Sequence, residues 1–578
     1  MIGEFLLEPR VAYFSMEIAL RSEIPTYAGG LGVLAGDTLR SAADLSLPLV
    51  GVTLVSRRGY FRQELDGSGR QSEAPAVWDP AQWTRRVDAK VALHIEERVV
   101  WIGAWLYVVT SDLGGRAPVV LLDTDLPEND PRDREITDTL YGGDDANRLK
   151  QEMVLGMGGV RMLHALGFEL TAYHMNEGHS ALLGIELARR TTHSPEDLRP
   201  GESPYDLPRV RALCRFTTHT PVEAGHDHFP YDLVERLFAS RSYAVGRTQS
   251  ASAGSADAVP GPIDFRVLRG LAGTEALNMT ALALSLSDFV NGVARRHAEL
   301  SARLYPGNHV RAITNGVHPY TWTSPGVRGL YDRYVPGWHQ EPELLLRADT
   351  IPDAELLLAH GLAKQALLAR VRELAGVTLS PDIATLGFAR RMTAYKRPDL
   401  MFSDLPRLRA IARERPLQII LAGKAHPRDE EGKRLIGLLH EHARALAGAI
   451  AVIYLKDYDM ALAQLLVAGC DVWVNTPLPP LEASGTSGMK AAFNGVPSLS
   501  VPDGWWIEGG IEGVTGWSCE DAGSLYAKLE QAVLPLYYGP DAQRRAWATL
   551  MKNVIVKNAA YFNSHRMMRR YATESYWR

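Results

Sequence analysis

The chain has 578 residues and a formal net charge of -5 at neutral pH. This balance disfavours a nucleic-acid-binding role, which usually requires a basic surface. Its three cysteines are widely spaced, which excludes a disulfide framework or a thiolate zinc site and favours a reducing compartment. The N-terminus is too short and too acidic for a signal peptide, and no apolar run reaches the ~20 residues of a membrane span. We therefore expect a cytoplasmic protein with neither nucleic acid nor membrane as a partner.

The predicted elements alternate, in chain order, between short apolar strands and longer helices. A first series of strands is predicted at Leu49–Val55, Val119–Asp123, Ala172–Met175, Cys214–Thr218, Phe289–Val293 and Val310–Thr314. A second series is predicted at Ala384–Arg390, Gln418–Gly423, Ala451–Leu455, Asp471–Asn475 and Pro497–Val501. Helices are predicted between the strands, for example at Arg148–Leu166, His179–Arg190 and Asp459–Ala468. This alternation is typical of βαβ units, so we expect an α/β fold with parallel sheets.

The two series of strands predict two α/β domains, which we place at residues 1–325 and 326–578. The boundary is expected near Trp322–Arg347, where the chain is rich in Pro, Gly, Tyr and Trp and has no clear period. Ser240–Pro262 is rich in Gly, Ser and Ala, which predicts a mobile surface loop. The final helical stretch, Ala542–Tyr571, could pack back on the first domain.

A glycine-rich segment, Pro25–Asp37, is the first candidate for chemistry. Gly29, Gly30 and Gly32 precede a helical pattern that starts at Val33. Glycines let a backbone approach an anion closely, and a helix N-terminus offers free N–H groups, so a phosphate loop is one interpretation. A structural turn explains the same residues equally well.

A basic segment, Phe388–Pro398, follows a predicted strand. Ligands bind at the carboxyl ends of strands in open α/β sheets, so Arg391 and Lys396 could clamp a dianion there. The alternative is a solvated basic turn.

A third segment, Pro479–Asn494, combines a Gly/Ser/Thr-rich turn with a helix predicted to start near Met489. Backbone N–H groups and hydroxyls at Ser484–Ser487 form a plausible phosphate nest. Lys490 follows that nest, where it could form a Schiff base with a phosphorylated aldehyde or contact the phosphate. An ordinary helix N-terminus with an exposed lysine remains the alternative.

Polar residues also gather at three other strand ends. The segment Arg215–Phe229 contains His219, Glu223, His226 and His228, but their spacing fits no common zinc pattern, so no metal is expected. His219 suits recognition of sugar hydroxyls better, although a structural histidine is also consistent. Tyr173–His179 and Ile313–Pro319 suit the same recognition, while Asn315–Gly316 could equally form a turn.

Several segments in order along the chain resemble the α-glucan phosphorylase family, which includes glycogen, starch and maltodextrin phosphorylases. The resemblance runs from Tyr13 to about Ile511. It is carried by YFSMEIAL from Tyr13, GGLGVLAGD from Gly29, RLKQE from Arg148, NEGHSAL from Asn176, TTHTPVEAGHDHF from Thr217, FVNGVARRHAELS from Phe289, ITNGVHP from Ile313, RRMTAYKRP from Arg390, GKAHP from Gly423 and EASGTSGMK from Glu482.

The resemblance implies a GT-B architecture, in which two Rossmann-like domains face a deep cleft. It also implies retaining transfer of the terminal glucosyl unit of a 1,4-α-glucan, such as glycogen or maltodextrin, to inorganic phosphate. The product would be α-glucose 1-phosphate, and the expected cofactor is pyridoxal 5'-phosphate. A homodimer is expected on the same ground.

The resemblance further implies a role for individual residues. Lys490 would carry the cofactor as a Schiff base, with further cofactor contacts from Arg390, Tyr458, Gly485, Thr486 and Ser487. Arg391, Lys396 and the N–H of Gly30 would hold the substrate phosphate. The remaining substrate contacts would come from His219, Gly29, Leu31, Glu482, Ser484, Asn315 and Tyr395.

The sequence departs from the long animal and plant enzymes of that family, and the changes resemble a compact prokaryotic branch. Those enzymes carry lysine at Arg390, asparagine at Ala28 and Gly488, and aspartate at Glu177. Only 12 residues precede Tyr13, which predicts that a regulatory N-terminal extension is absent. The alternatives are a nucleotide-sugar-dependent glucan synthase of the same fold and a non-catalytic glucan-binding relative. Lys490 disfavours the synthase, because a sugar-nucleotide enzyme does not need a lysine after this turn. The binding relative is disfavoured because binding alone does not require a phosphate clamp, whereas the chain has the full set Gly30, His219, Arg391, Lys396, Glu482 and Lys490.

Overall fold

The structure is a computed structural model that describes residues 2–6, 8–199, 202–221, 225–238 and 263–577. The predicted mobile loop Ser240–Pro262 lies outside the described residues, and so does Glu223. The described strands are β1 Val11–Phe14, β2 Leu49–Leu54, β3 Arg62–Leu65, β4 Gln71–Ala74, β5 Arg85–Ile95, β6 Arg98–Thr110, β7 Arg116–Asp123, β8 Ala172–Asn176, β9 Cys214–Thr217, β10 His228–Pro230, β11 Ala276–Asn278, β12 Phe289–Gly292, β13 Val310–Ala312, β14 Ala384–Ala389, β15 Leu417–Ala422, β16 Ala451–Leu455, β17 Val472–Asn475, β18 Ser498–Ser500 and β19 Gly516–Ser518.

The first large sheet has the strand order β13-β12-β9-β8-β1-β2-β7-β6-β5. The strands from β13 to β7 are parallel, but β7, β6 and β5 pair in an antiparallel manner. The expectation of purely parallel sheets is therefore wrong at this edge. Strands β5 and β6 are joined by a tight turn at Glu96, whose φ is 57°, and so short a connection can join only antiparallel strands.

The second large sheet has the order β16-β15-β14-β17-β18-β19, and all its pairings are parallel. Every residue of β14 and of β15 is buried. Strands covered on both faces are apolar throughout and do not alternate, which is why the sequence predicted this sheet well. Two antiparallel pairs, β3 with β4 and β10 with β11, complete the sheets of the described residues.

Helices occupy most of the segments between strands. The described α-helices are Gly30–Asp44, Pro80–Trp83, Pro131–Arg134, Asp145–Met153, Gly159–Ala165, Leu182–Arg190, Leu207–Leu213, Tyr231–Phe238, Phe265–Ala272, Met279–Ser285, Arg295–Leu304, Pro319–Trp322, Pro325–Tyr334, Asp353–Ala375, Leu405–Glu414, Glu430–Leu446, Met460–Gly469, Thr486–Ala492, Trp506–Gly509, Ala522–Lys528, Leu534–Tyr538, Asp541–Val554 and Ser564–Tyr571. Wider π-type turns continue four of them, at Val154–Gly158, Leu529–Val533, Ile555–Ala559 and Ala572–Tyr576. None of the described helices is both long and apolar enough to cross a bilayer.

The segment Trp322–Arg347, which we expected to lack regular structure, is largely helical. Ser324 and Pro325 begin the helix Pro325–Tyr334, a start signal that the irregular apolar pattern obscured. Trp322, Tyr331 and Trp338 are buried in the same core as Phe388 of β14. Large aromatic side chains thus attach this segment to the second sheet.

The C-terminal helix Ser564–Tyr571 lies against the first sheet. Its Met567, Met568 and Tyr571 share a core with residues of β1 and β2. The hydroxyl of Ser564 lies 2.6 Å from that of Ser41, in the helix Gly30–Asp44. The predicted stretch Ala542–Tyr571 is not one helix, because Asn563 accepts a hydrogen bond from the N–H of Arg566 and starts a new one.

Candidate active site

Contacts between the two large sheets bring loops at their strand ends together. Asn315, just after β13, donates from Nδ2 to the Ser484 hydroxyl at 3.0 Å. Trp322 lies below Lys490, whose Nζ is 4.1 Å from the ring centroid. The candidate residues around Lys490 and Glu482 therefore face the loops that follow the first sheet.

The glycine-rich segment is held by Glu17, a buried carboxylate that follows β1. Glu17 Oε2 accepts hydrogen bonds from the N–H groups of Ala28 at 2.6 Å and Gly29 at 3.1 Å. Its Oε1 accepts from the Tyr141 hydroxyl at 2.8 Å. Two amides of the predicted phosphate loop are thus already occupied by the protein's own carboxylate.

The helix after this segment begins at Gly30, three residues before the predicted start at Val33. The apolar pattern begins at Val33, so the glycines of the first turn carried no signal. A Cβ at Gly29 or Gly30 would meet no atom within 4 Å, whereas one at Gly32 would lie 2.6 Å from Glu17 Oε2. Gly32 is therefore required by Glu17, and the space beside Gly29, Gly30 and the half-buried Leu31 is open to a ligand.

Glu482 neutralises two of the cations in the basic segment. Its Oε2 accepts from Lys396 Nζ at 2.6 Å and from Arg390 at 2.7 Å. Burial opposes ionisation, but Arg390 and Lys396 together lower the pKa of Glu482 to about 2. Arg390 also donates to Asn475. The structure therefore brings Arg390, Lys396 and Glu482 into one buried group.

Arg391 is exposed as a residue, whereas its neighbour Arg390 is half-buried and paired with Glu482. None of the ion pairs among the described residues includes Arg391. Burial of the surroundings works against its charge, but the pKa of Arg391 is raised, chiefly by Tyr395 beside it. Arg391 is thus a cation available to an anion from outside the protein.

Lys490 is buried, with 7% of its surface exposed. Among the described residues its Nζ has no hydrogen-bond or ion-pair partner, and its near neighbour is the Trp322 ring. Burial lowers the pKa of Lys490 to about 8, although Asp37 opposes the shift. The alternative of an ordinary exposed lysine is thereby excluded, and the lowered pKa leaves a larger neutral fraction of the amine near neutral pH than an exposed lysine would have.

The turn before Lys490 is shaped by two glycines. Gly485 has a φ of 83°, and the helix begins directly afterwards at Thr486, earlier than the predicted start near Met489. The Ser487 hydroxyl accepts from Trp473 at 3.1 Å. A Cβ at Gly488 would lie 2.6 Å from Trp505, so Trp505 takes the space that an asparagine would need.

The backbone and the imidazole of His219 are held by two adjacent residues. They are Asn176, the last residue of β8, and Glu177, which follows it. His219 Nε2 lies 2.6 Å from Asn176 Oδ1, and its backbone N–H donates to Glu177 Oε2 at 2.8 Å. Asn176 donates from Nδ2 to Ser15, which turns its Oδ1 towards His219 and assigns the proton to Nε2. Burial lowers the pKa of His219 to about 3, so the imidazole is neutral with Nδ1 as an acceptor.

Glu177 has a strained backbone, with φ 75° and ψ 169°, a region that is essentially restricted to glycine. Burial raises the pKa of Glu177 to about 7, despite hydrogen bonds from the N–H of His219 and the hydroxyl of Thr220. Strain of ~1–3 kcal/mol persists where surrounding contacts enforce it, and such positions cluster at functional sites.

Not every predicted residue joins the group around Glu482. No hydrogen bond or ion pair among the described residues links His219 to the second-sheet residues. Tyr458 is half-buried beside Tyr27 and Arg390, and burial raises its pKa. Two buried polar atoms that face this region, Arg390 Nε and Asn315 Oδ1, have no protein partner.

Sequence reasoning missed three residues of this site. Glu17 lay inside a quoted motif, but nothing local indicates that its carboxylate binds amides of the glycine segment. Asn176 and Trp322 were likewise not assigned a contact. The usable signal for Glu17 was an acidic residue three positions after a fully apolar strand.

Comparison with known proteins was consistent with this geometry. The family model described as "Phosphorylase: Carbohydrate phosphorylase" matches residues 160–513. The chain is similar to the maltodextrin phosphorylase of Thermococcus litoralis, with 36% identity over 98% of this chain and 70% of the relative. It is also similar to the glycogen phosphorylase of Aquifex aeolicus, with 35% identity over 98% of this chain and 86% of the relative. An uncharacterized protein of Methanocaldococcus jannaschii is 30% identical over 98% of this chain and 99% of its own length.

The matches cover nearly the whole chain and include both large sheets and the loops that carry Lys490, Arg391 and His219. The chain is therefore a member of the carbohydrate phosphorylase family.

Proposed function

We propose that this protein is a 1,4-α-glucan phosphorylase, a glycosyltransferase that moves the terminal glucosyl unit of glycogen or maltodextrin to inorganic phosphate. The product is α-glucose 1-phosphate, with retention of configuration. The observation that carries the proposal is the buried Lys490 amine, which has no hydrogen-bond or ion-pair partner among the described residues. The chain that contains it belongs to a family of phosphorylases. A sugar-nucleotide synthase or a glucan-binding protein has no use for such an amine.

The residues around Lys490 fit pyridoxal 5'-phosphate. The amine has a pKa lowered by burial to about 8, and Arg390 Nε and Asn315 Oδ1 are buried without a partner. Lys490 would hold the aldehyde carbon, and the turn from Gly485 to Ser487 would hold the phosphate. When bound, the cofactor would supply a phosphate that exchanges protons with substrate phosphate near neutral pH.

Inorganic phosphate would bind between the two sheets. Arg391 is exposed and unpaired with any carboxylate of the described residues, and a Cβ at Gly30, the first residue of its helix, would meet no atom within 4 Å. A guanidinium and a helix N-terminus both favour a dianion. Lys396 would contribute positive charge beside them, although Glu482 already neutralises part of it.

The glucosyl unit would be oriented by polar groups from both sheets. His219 Nδ1 is held as an acceptor for a hydroxyl group, and Asn315 Oδ1 is a second free acceptor. Ser484 and Glu482 would complete the contacts. Substrate phosphate would protonate the glycosidic oxygen and then bond to the same face of the glucosyl carbon, which retains the α configuration.

The two carboxylates described around the site, Glu482 and Glu177, are both engaged by the protein and are not proposed to replace phosphate as the nucleophile. Glu482 Oε2 is bound by Lys396 and Arg390, and Glu177 accepts from a backbone N–H and a hydroxyl. This differs from retaining glycosidases, which use a free carboxylate. Burial around Lys490 would also limit water, whose attack would give glucose instead of glucose 1-phosphate.

We infer that residues 1–325 and 326–578 are the two Rossmann-like domains of a GT-B architecture, with the site in the cleft between them. The two large sheets and the contact between Asn315 and Ser484 support this division. The homodimer stays a prediction, which analytical ultracentrifugation can check.

The proposed function is tested by incubating the purified protein with maltodextrin and phosphate, with and without added pyridoxal phosphate. We expect glucose 1-phosphate to appear, and to depend on the cofactor once the protein has been stripped of it. Release of glucose in place of glucose 1-phosphate, or glucan synthesis from a nucleotide sugar alone, would overturn the proposal.

A further inference from the structure

A second cluster of titratable side chains surrounds Asp44, at the other end of the helix that begins at Gly30. Asp44 Oδ2 lies 2.8 Å from His318 Nε2 and 2.9 Å from His565 Nε2. A third imidazole, that of His339, has its Nε2 at 3.7 Å from the same oxygen. Three imidazoles from separate segments of the chain thus converge on one oxygen of Asp44.

The cluster is buried and lacks a permanent cation. The side chains of Asp44, His318 and His565 are 3%, 6% and 0% exposed. Arg40, one turn earlier on the helix, donates to Asp37 and to the carbonyls of Ala19 and Leu20. Among the described residues, no lysine or arginine forms an ion pair with Asp44.

Hydrogen bonds from the imidazoles stabilise the charged Asp44 carboxylate, but among the described residues it has no permanent counter-charge. A bound cation would provide it, and imidazole nitrogens with one carboxylate oxygen are a ligand set that zinc favours. The candidate ligand atoms of Asp44, His318 and His565 all lie within 4.8 Å of one another. Zinc with ligand bonds of ~2.0–2.2 Å needs donor atoms roughly 3.3–3.5 Å apart. The distances of 2.8 and 2.9 Å from Asp44 to His318 and His565 must therefore lengthen, and the 3.7 Å distance to His339 must shorten slightly.

The hydrogen bonds behind the imidazoles allow them to act as ligands. His318 Nδ1 lies 2.7 Å from the Thr321 hydroxyl, which can accept a hydrogen bond from a protonated Nδ1. Without an ion, the same Nδ1 accepts from the Thr321 N–H at 3.2 Å, and Nε2 carries the proton towards Asp44. His565 Nε2 likewise donates to Asp44, and its Nδ1 has no partner among the described residues, so no hydrogen bond opposes a move of the proton to Nδ1 when an ion binds.

A cavity of about 210 Å³ borders the cluster and offers a route for an ion. Asp44, His318 and His339 line it on one side, and Asp112 lies at its wall. His339 is half-buried and stacks on Tyr320 with ring centroids 4.5 Å apart, which holds its imidazole beside the cavity.

We propose that Asp44, His318 and His565 bind one Zn²⁺ ion, with His339 as the fourth ligand from the cavity side. The site would be structural, because all four positions are taken by protein and none is left for a substrate. It would fasten the helix Gly30–Asp44 to the segment after β13 and to the C-terminal helix. No local motif predicted this site, because its ligands lie far apart along the chain.

The proposal is tested by a zinc titration of the full-length, cofactor-loaded protein after treatment with a chelating resin. Competition with a chromophoric chelator should reveal one equivalent of Zn²⁺ bound with a Kd below about 1 µM. Asp44→Asn should weaken that equivalent at least ~100-fold, and His339→Ala should weaken it ~10-fold. The exposed His309, replaced by Ala, is the matched control and should leave the affinity unchanged.

Replacement of zinc by Co²⁺ gives a second readout that a merely structural hydrogen-bond cluster would not produce. A tetrahedral histidine and carboxylate site should show intense visible absorption with one equivalent of Co²⁺, and His339→Ala should alter it. If Asp44→Asn fails to fold, the wild-type titration and His339→Ala decide the matter. Absence of a tight equivalent in the wild type, or an equivalent unaffected by His339→Ala, would overturn the proposal.

Discussion

Lys364 and Lys490 are both buried in the second half of the chain, with 3% and 7% of their surfaces exposed. Lys364 donates to Asp471 at 2.6 Å, to the carbonyl of Ile383 at 2.7 Å and to the Tyr537 hydroxyl at 3.0 Å. All three of its donors are used. Lys490 lies on the Trp322 ring and has no such partner among the described residues.

The difference separates a structural lysine from a reactive one. The Asp471 carboxylate compensates the charge of Lys364, whereas burial lowers the pKa of Lys490 to about 8. The proposed function gives a reason for this unfavourable burial, because Lys490 would hold the cofactor. The comparison therefore predicts opposite outcomes when each lysine is replaced.

The largest expected effect is on turnover. Lys490→Ala should lower the rate of glucose 1-phosphate release at least ~10³-fold, because no other amine could hold the cofactor. The assay uses maltodextrin, phosphate and added pyridoxal phosphate. Lys364→Met is the matched control and should keep the turnover of its folded fraction near that of the wild type. Equal losses of turnover in Lys490→Ala and Lys364→Met would contradict the different roles assigned to the two lysines.

The next effect is on stability. Lys364→Met should lower the free energy of unfolding by ~3–5 kcal/mol, because Asp471 is left buried without its cation. Urea denaturation measures the change. Adding Asp471→Leu should restore part of the loss, since the second change removes the unpaired carboxylate. A double variant as unstable as the sum of the single variants would argue against the pair.

A similar contrast exists between Arg390 and Arg391. Glu482 neutralises the first and leaves the second free. We expect Arg391→Ala to lower kcat/KM for phosphate by ~10²-fold, through a higher KM and a lower kcat, because its charge is lost from the anion site. Steady-state kinetics with varied phosphate measure it, and Arg407→Ala on the surface is the control. Unchanged phosphate kinetics would remove Arg391 from the site.

The smallest effect concerns the stability of the cofactor-free protein. Lys490→Met should raise the free energy of unfolding by about 1–3 kcal/mol at pH 7, because a buried charge without a partner is removed. The pKa of Lys490 is about 8 in the folded state and ~10.4 in the unfolded state. Below pH 8 the wild type bears the full cost, and between pH 8 and ~10.4 its stability should rise, since the unfolded state binds more protons.

The gain from Lys490→Met should therefore shrink across that pH range and disappear above it. Urea denaturation at several pH values, with the wild type beside the variant, measures the trend. A gain that stays constant with pH would mean that lysine titration does not cause it.

The interior strands could be predicted from sequence because their residues are apolar throughout. Strands such as β14 and β15 are buried on both faces and differ from the prediction by one residue at an end. Strand β1 was missed because it has only four residues, and its partners Leu49 and Ala172 lie far along the chain. The antiparallel pair β5 and β6 was missed since alternating polar residues weaken the apolar signal.

The sequence predicted which segments form the site, but not which of their charged side chains pair with one another. Adjacent arginines in one motif look alike in sequence, and only the fold brings Glu482 to Arg390 and leaves Arg391 free. Glu17 could not be assigned for the same reason, because its amide partners are contributed by a separate loop. Short-range patterns locate strand ends, whereas pairing between them is a property of the folded chain.

The central claim is that Lys490 is the amine that holds the cofactor. Borohydride treatment of the cofactor-loaded protein, followed by proteolysis and mass spectrometry, identifies the lysine that carries the trapped pyridoxyl group. We predict the added mass on Lys490 alone, with Lys364 and Lys396 unmodified. The added mass on either of those two lysines, or on none, would contradict the account.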